Sequence, residues 1–142
     1  MKVKALQIRN VIFWVLIAIF AALVAGMANR WRFLGHRRPL WGLAVIGITF
    51  CGLAAVLVVL TVKLKEPLIR KIFFILTGAS AVGIPICVIL HNLVYGLFFH
   101  GKDGDEAVFF ILAVIVCPAL FVLGMLGSIV LLISARLRKK ES

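Results

Sequence analysis

Residues 72–101 read IFFILTGASAVGIPICVILHNLVYGLFFHG, thirty positions without a single Asp, Glu, Lys or Arg. At about 1.5 Å of rise per residue a helix of that length covers roughly 45 Å, well beyond the ~30 Å hydrocarbon core of a bilayer. Backbone N–H and C=O groups find no water at that depth, so only a helix or a closed barrel satisfies them. Three more stretches share the property: 10–29, 39–62 and 107–135, of 20, 24 and 29 residues. Every charged residue lies at the ends of these runs or in the short gaps between them. The pattern predicts an all-α integral membrane four-helix bundle with short antiparallel connections. Its helices are expected near 10–29, 39–62, 72–100 and 106–135, within a single membrane domain spanning 1–142.

Composition agrees. The chain is 64% hydrophobic and its mean hydropathy is +1.19, against roughly 45–50% apolar residues in soluble domains. The runs have no polar face of the kind a soluble bundle turns to water, so lipid is the first partner. The formal net charge is +11, but the cations flank apolar runs and no nucleic-acid-binding motif accompanies them. Flanking Lys and Arg are expected to meet lipid phosphates and to set topology, and nucleic acid is not an expected partner.

Orientation follows from the same charges. With both termini cytoplasmic, eleven Lys and Arg lie inside and five outside, so the positive-inside rule favours N-in and C-in. The expected location is the cell (plasma) membrane, multi-pass. In a eukaryote the tail Lys139-Lys140-Glu141-Ser142 resembles a di-lysine retrieval signal and would place the chain in the ER membrane. The basic start, the apolar residues 11–24 and the small-x-small Gly26-Met27-Ala28 resemble a signal peptide. The length of the first charge-free run favours a retained helix. One external loop breaks the rule with Arg30, Arg32, Arg37 and Arg38, while the other carries Asp103, Asp105 and Glu106. These two loops are expected to pair, weakly, as exposed ions do. The acidic loop is too short for an EF-hand, and Asp105 and Glu106 are expected to start the fourth helix, where acids suit the dipole.

Small residues recur at helical spacing: Ala18, Ala22 and Gly26; Gly47, Cys51 and Ala55; Ala79 and Gly83; Gly124 and Ser128. Such stripes let membrane helices approach closely. Trp14, Trp31 and Trp41 fall near run ends, where amphipathic rings prefer the interface. Gly83, Pro85 and Pro118 are the expected hinges, because a proline removes one backbone donor and crowds the carbonyl four residues back.

Few residues offer chemistry. No ionisable group other than His and thiols or phenol lies inside the runs, whereas ion pumps and proton-coupled transporters ordinarily need one. Small four-helix multidrug exporters carry a carboxylate in the first helix, where this chain has only Asn10 and Asn29. No GxSxG, HExxH or phosphate loop occurs, so no catalytic residue is assigned and no cofactor is called for. The best polar cluster is Cys87, His91, Asn92 and Tyr95, of which Cys87, His91 and Tyr95 share one helix face. Read functionally it is a polar pocket open to the outside; read structurally it is glue between helices. Three functional classes follow. The leading one is a non-enzymatic accessory, assembly or structural protein with a membrane-protein partner or a second copy of itself. The second is an oligomeric transport or permeation unit using His91, Asn92 and Tyr95. The third is a metal-binding or redox protein around Cys87 and His91: Cys51, Cys87 and Cys117 are expected at similar depth near mid-bilayer, where soft thiolates with His91 suit copper or zinc, with the metal itself unknown.

Overall fold

The computed structural model describes residues 2–32, 40–99 and 107–141, with side chains over 3–26, 45–99 and 107–137. The first helix is Lys2–Arg32, the second Leu40–Lys63 and the third Leu68–Val94, which continues through one π-helical turn, Tyr95–Phe99. The fourth begins as Val108–Ile111, widens into a π turn at Leu112–Val116 and runs on as Cys117–Glu141. The described residues form an all-α bundle. Four segments, Val3–Gly26, Val45–Lys63, Leu68–Phe99 and Val108–Leu137, are long and apolar enough to cross a membrane, and the chain is a multi-pass membrane protein on that ground.

The helices overrun the charge-free stretches. The first starts at Lys2 rather than near residue 10, and the third at Leu68 rather than 72. A charge ends a membrane span, but Lys, Arg and Leu are good helix formers and do not end a helix. The expected pairing of Arg30, Arg32, Arg37 and Arg38 with Asp103, Asp105 and Glu106 falls outside the described side chains, as do Trp31 and Trp41.

Contacts fix the arrangement. Arg9 near the start of the first helix meets Glu66 in the turn between the second and third, so the first two helices are antiparallel. Along the third helix, Phe73, Thr77, Gly83 and His91 face Gly127, Gly124, Cys117 and Phe110 in turn. The third and fourth helices therefore run in opposite directions as well. The third is central, packed between the second and the fourth, and the first lies against the second.

Aromatic rings fill the middle. Phe13 packs edge-on to Phe74 with centroids 5.0 Å apart, Phe20 lies 4.4 Å from Phe121, and Phe50 is 5.9 Å from Phe121. Phe13, Phe74 and Phe121 are fully buried. Outward positions are equally apolar, with Ile48 74% and Ile89 65% exposed. An aqueous surface would not carry such residues around its whole circumference. Lipid does not reward burying one apolar surface against another, so close packing must hold the helices together.

Glycine supplies that packing between the third and fourth helices. A Cβ on Gly124 would sit 2.6 Å from Thr77 Oγ1 and 2.7 Å from Thr77 N, and one on Gly127 would enter the Phe73 ring. Ser128, one turn on, is fully buried, so the stripe of Gly124 and Ser128 faces inward as the spacing implies. The stripe on the first helix does not. Ala18, Ala22 and Gly26 are exposed, and Phe13, Leu16 and Phe20 make the contacts instead. The first helix reaches its neighbours with large side chains, not by close backbone approach. Ala55 and Ala79 are likewise exposed, while Ala54 and Gly78 take the buried places beside them. Gly26, Gly47 and Gly52 have open space where a Cβ would go. Replacing each by alanine is expected to leave thermal stability in detergent unchanged or raise it by about 0.5–1 kcal/mol, since alanine is the better helix former. A fall in melting midpoint at any of the three would show a packed contact there.

Candidate functional site

Two polar groupings stand out, one toward each end of the bundle. The first is the cluster on the third helix. Cys87 and His91 are half-buried against the fourth helix, and Tyr95 continues the line at 42% exposure. The His91 ring lies 5.6 Å from Phe110 and 6.4 Å from Tyr95, nearly parallel to the latter at 29°. Cys117 joins from the fourth helix: its thiol lies beside Cys87, and its Sγ sits 2.9 Å from where a Gly83 Cβ would lie. Gly83 thus makes room for a neighbour's sulfur. Asn92 does not belong to this seam. It is exposed on another side, and its Nδ2 donates to its own helix at Val88 O, 2.7 Å away. The structure therefore brings Cys87, His91 and Tyr95 together, adds Cys117, and separates Asn92 from them.

Both prolines lie beside this seam with different effects. Pro118 follows the π turn Leu112–Val116, where Cys117 N–H donates five residues back to Leu112 O. The widened turn accommodates the missing donor and the ring of Pro118, the usual reason for a π-bulge near proline. The third helix passes through Pro85 as one continuous α-helix. Among the described residues no group of three His, Cys, Asp or Glu side chains is placed to hold a metal ion. The thiol pair with His91 thus falls short of a three-ligand site.

The second grouping lies at the opposite end. Arg9 is 1% exposed, yet it is charged and sits within the first helix. Its Nη1 donates to Glu66 Oε2, its Nε and Nη2 to Asn10 Oδ1 at 3.3 and 2.9 Å, and its Cζ lies 4.0 Å over the Phe74 ring. Arg70 Nη1 donates to the other carboxylate oxygen, Oε1, at 3.2 Å. Glu66 itself is only 7% exposed. Such burial of a guanidinium is tolerated because its donors and its π face are occupied.

This corrects one expectation. Arg9 is not a flank residue facing lipid phosphate; it is the buried tie between the first helix and the turn after the second. The tie is not legible along the chain because the partners are 57 positions apart. One signal was present: Glu66 is the sole acid in the first 102 residues, set among lysines and arginines. No family model, no curated protein and no solved structure matches the chain.

What this architecture can do is limited by its interior. Thr61 Oγ1 donates to Leu57 O at 2.7 Å, Thr77 Oγ1 to Phe73 O at 2.9 Å and Ser80 Oγ to Leu76 O at 2.6 Å. These buried hydroxyls are turned onto their own helices. Among the described residues only Ser128 Oγ is buried without a partner.

Proposed function

We propose that this chain is a non-enzymatic accessory or assembly protein that acts through helix contacts within the membrane. The observation that carries the reading is the filled axis: Phe13, Phe20, Phe50, Phe74 and Phe121 meet in the middle, and the hydroxyls beside them bond their own backbones. That arrangement offers a solute no line of polar groups. Close-packing and polar features remain on the outside instead, with Ala18, Ala22 and Gly26 exposed on the first helix and Asn92 and Tyr95 on the third. A helix of another membrane protein, or of a second copy, fits such surfaces through the same small-residue approach and interhelical hydrogen bonds. The charge distribution supports both termini in the cytoplasm and a plasma-membrane location, or the ER membrane in a eukaryote.

Co-purification of the full chain from its own membranes in mild detergent tests this. Ala22→Leu with Gly26→Leu is expected to lower recovery of the partner, or of the dimer, several-fold while the melting midpoint stays put. His91→Ala is expected to leave recovery unchanged. Solute flux in liposomes that vanishes on His91→Ala would sink the proposal in favour of a permeation unit. Metal retained in proportion to protein and lost with Cys87→Ala would favour the metal-binding class.

A further inference from the structure

We infer that the turn between the second and third helices is a binding site for an anionic phospholipid, with the headgroup phosphate held by Lys63, Lys65, Arg70 and Lys71. The inference is independent of the accessory role proposed above. Among residues whose side chains are described, Glu66 is the only carboxylate, and both its oxygens are engaged, Oε2 by Arg9 and Oε1 by Arg70. Its negative charge is matched by the buried Arg9. Four cations within nine residues, Lys63, Lys65, Arg70 and Lys71, are left with a surplus of positive charge.

One membrane-spanning segment ends at Lys63 and the next begins at Leu68. The turn therefore lies at the hydrocarbon boundary, where lipid phosphates reside. The cations are also partly held in place. Lys71 Nζ reaches back over the turn to Val62 O at 3.2 Å, and Arg70 is anchored on Glu66 with a quarter of its side chain exposed. A guanidinium fixed on one side keeps further N–H donors for a phosphate, whose oxygens match its fork geometry. Lys63 and Lys65 are exposed and long enough to swing onto the same headgroup. No acid lies in the first turn of the third helix to compete for them.

The last observation distinguishes a lipid from a free phosphate. Directly beside the cations stand Leu68, Ile69 and Ile72, exposed by 74%, 59% and 51%, with Val62 at 57% on the second helix. Exposed aliphatic side chains set among the cations match an amphiphile, which brings an acyl chain together with its phosphate. Inorganic phosphate has no use for the aliphatic side chains.

Native mass spectrometry of the full chain in mild detergent, titrated with phosphatidylglycerol or phosphatidylcholine, tests the site. The anionic lipid is expected to be retained about tenfold better, and each lysine removed to weaken retention about fivefold. Lys63→Gln with Lys65→Gln is the informative variant, because neither residue belongs to the buried Arg9–Glu66 pair and the fold should keep its melting midpoint. Arg136→Gln with Lys139→Gln on the C-terminal flank is the control and should change retention little. Equal losses in the two variants would mean diffuse attraction to basic flanks and would overturn the site. Equal retention of the two lipids would overturn it too. Displacement of phosphatidylglycerol by millimolar inorganic phosphate would assign the cations to a free anion instead.

Discussion

Glu66→Gln is expected to destabilise the protein by about 3–5 kcal/mol, the cost of leaving one member of a buried ion pair without its partner. Arg9 is 1% exposed and Glu66 7%, so water offers the abandoned guanidinium little compensation. The amide of glutamine still accepts a hydrogen bond, but it supplies no charge to balance Arg9 or Arg70. Reversible unfolding in detergent, comparing wild type and Glu66→Gln, measures the loss. A double-mutant cycle with Arg9→Leu separates the pair from the packing of its parts. The double variant is expected to lose less than the two single losses combined, because removing both charges leaves no isolated ion behind. A Glu66→Gln loss below about 1 kcal/mol would place the pair among solvated surface bridges and refute its structural role.

The next largest effect is expected at Gly124. Alanine there would bring a Cβ to 2.7 Å from Thr77 N and 3.1 Å from Phe73 O. Those obstacles are backbone atoms, which cannot rotate away as a side-chain tip does. The third and fourth helices must separate, and overpacking of this kind costs about 1–3 kcal/mol. The gain in helix propensity from Gly to Ala, about 1 kcal/mol, offsets part of that. Gly124→Val removes the offset, since a β-branched residue loses rotamer freedom in a helix. A falling series of melting midpoints, wild type above Gly124→Ala above Gly124→Val, is the expected result. An alanine variant as stable as wild type would show that the two helices slide apart at no cost. The open position at Gly47 provides the contrast, since the same substitution meets nothing within 4 Å there.

The two effects differ in how far the residues themselves announced them. Gly124 and Ser128 lie four apart on an apolar run, and that spacing already marks a close-packed stripe. The same signal at Ala18, Ala22 and Gly26 points outward in the folded chain. Spacing shows that residues share a face, but not which neighbour that face meets. The cluster of Cys87, His91 and Tyr95 was legible for the same reason, being one turn apart on one helix. Its fourth contributor, Cys117, belongs to another helix; the run lengths set it level with Cys87, but only the packing turns it toward the third helix. Asn92 follows His91 directly, and a step of one residue turns about 100° around the axis, away from the seam.

The bilayer acts residue by residue, through the cost of desolvating each charge and each backbone group. For that reason the all-α class and four membrane-spanning segments are determined by the order of residues alone, and the thirty charge-free positions from 72 to 101 suffice to reveal the principle. The rotation of each helix about its axis is a different matter. Runs apolar on every side carry no amphipathic stripe to turn one face inward. Only the tertiary structure selects Phe13, Phe74 and Phe121 for the interior, docks Gly124 on Thr77, and carries Arg9 to a carboxylate 57 residues away. Those choices depend on shape and charge meeting across helices, and such fit exists only once the helices have come together.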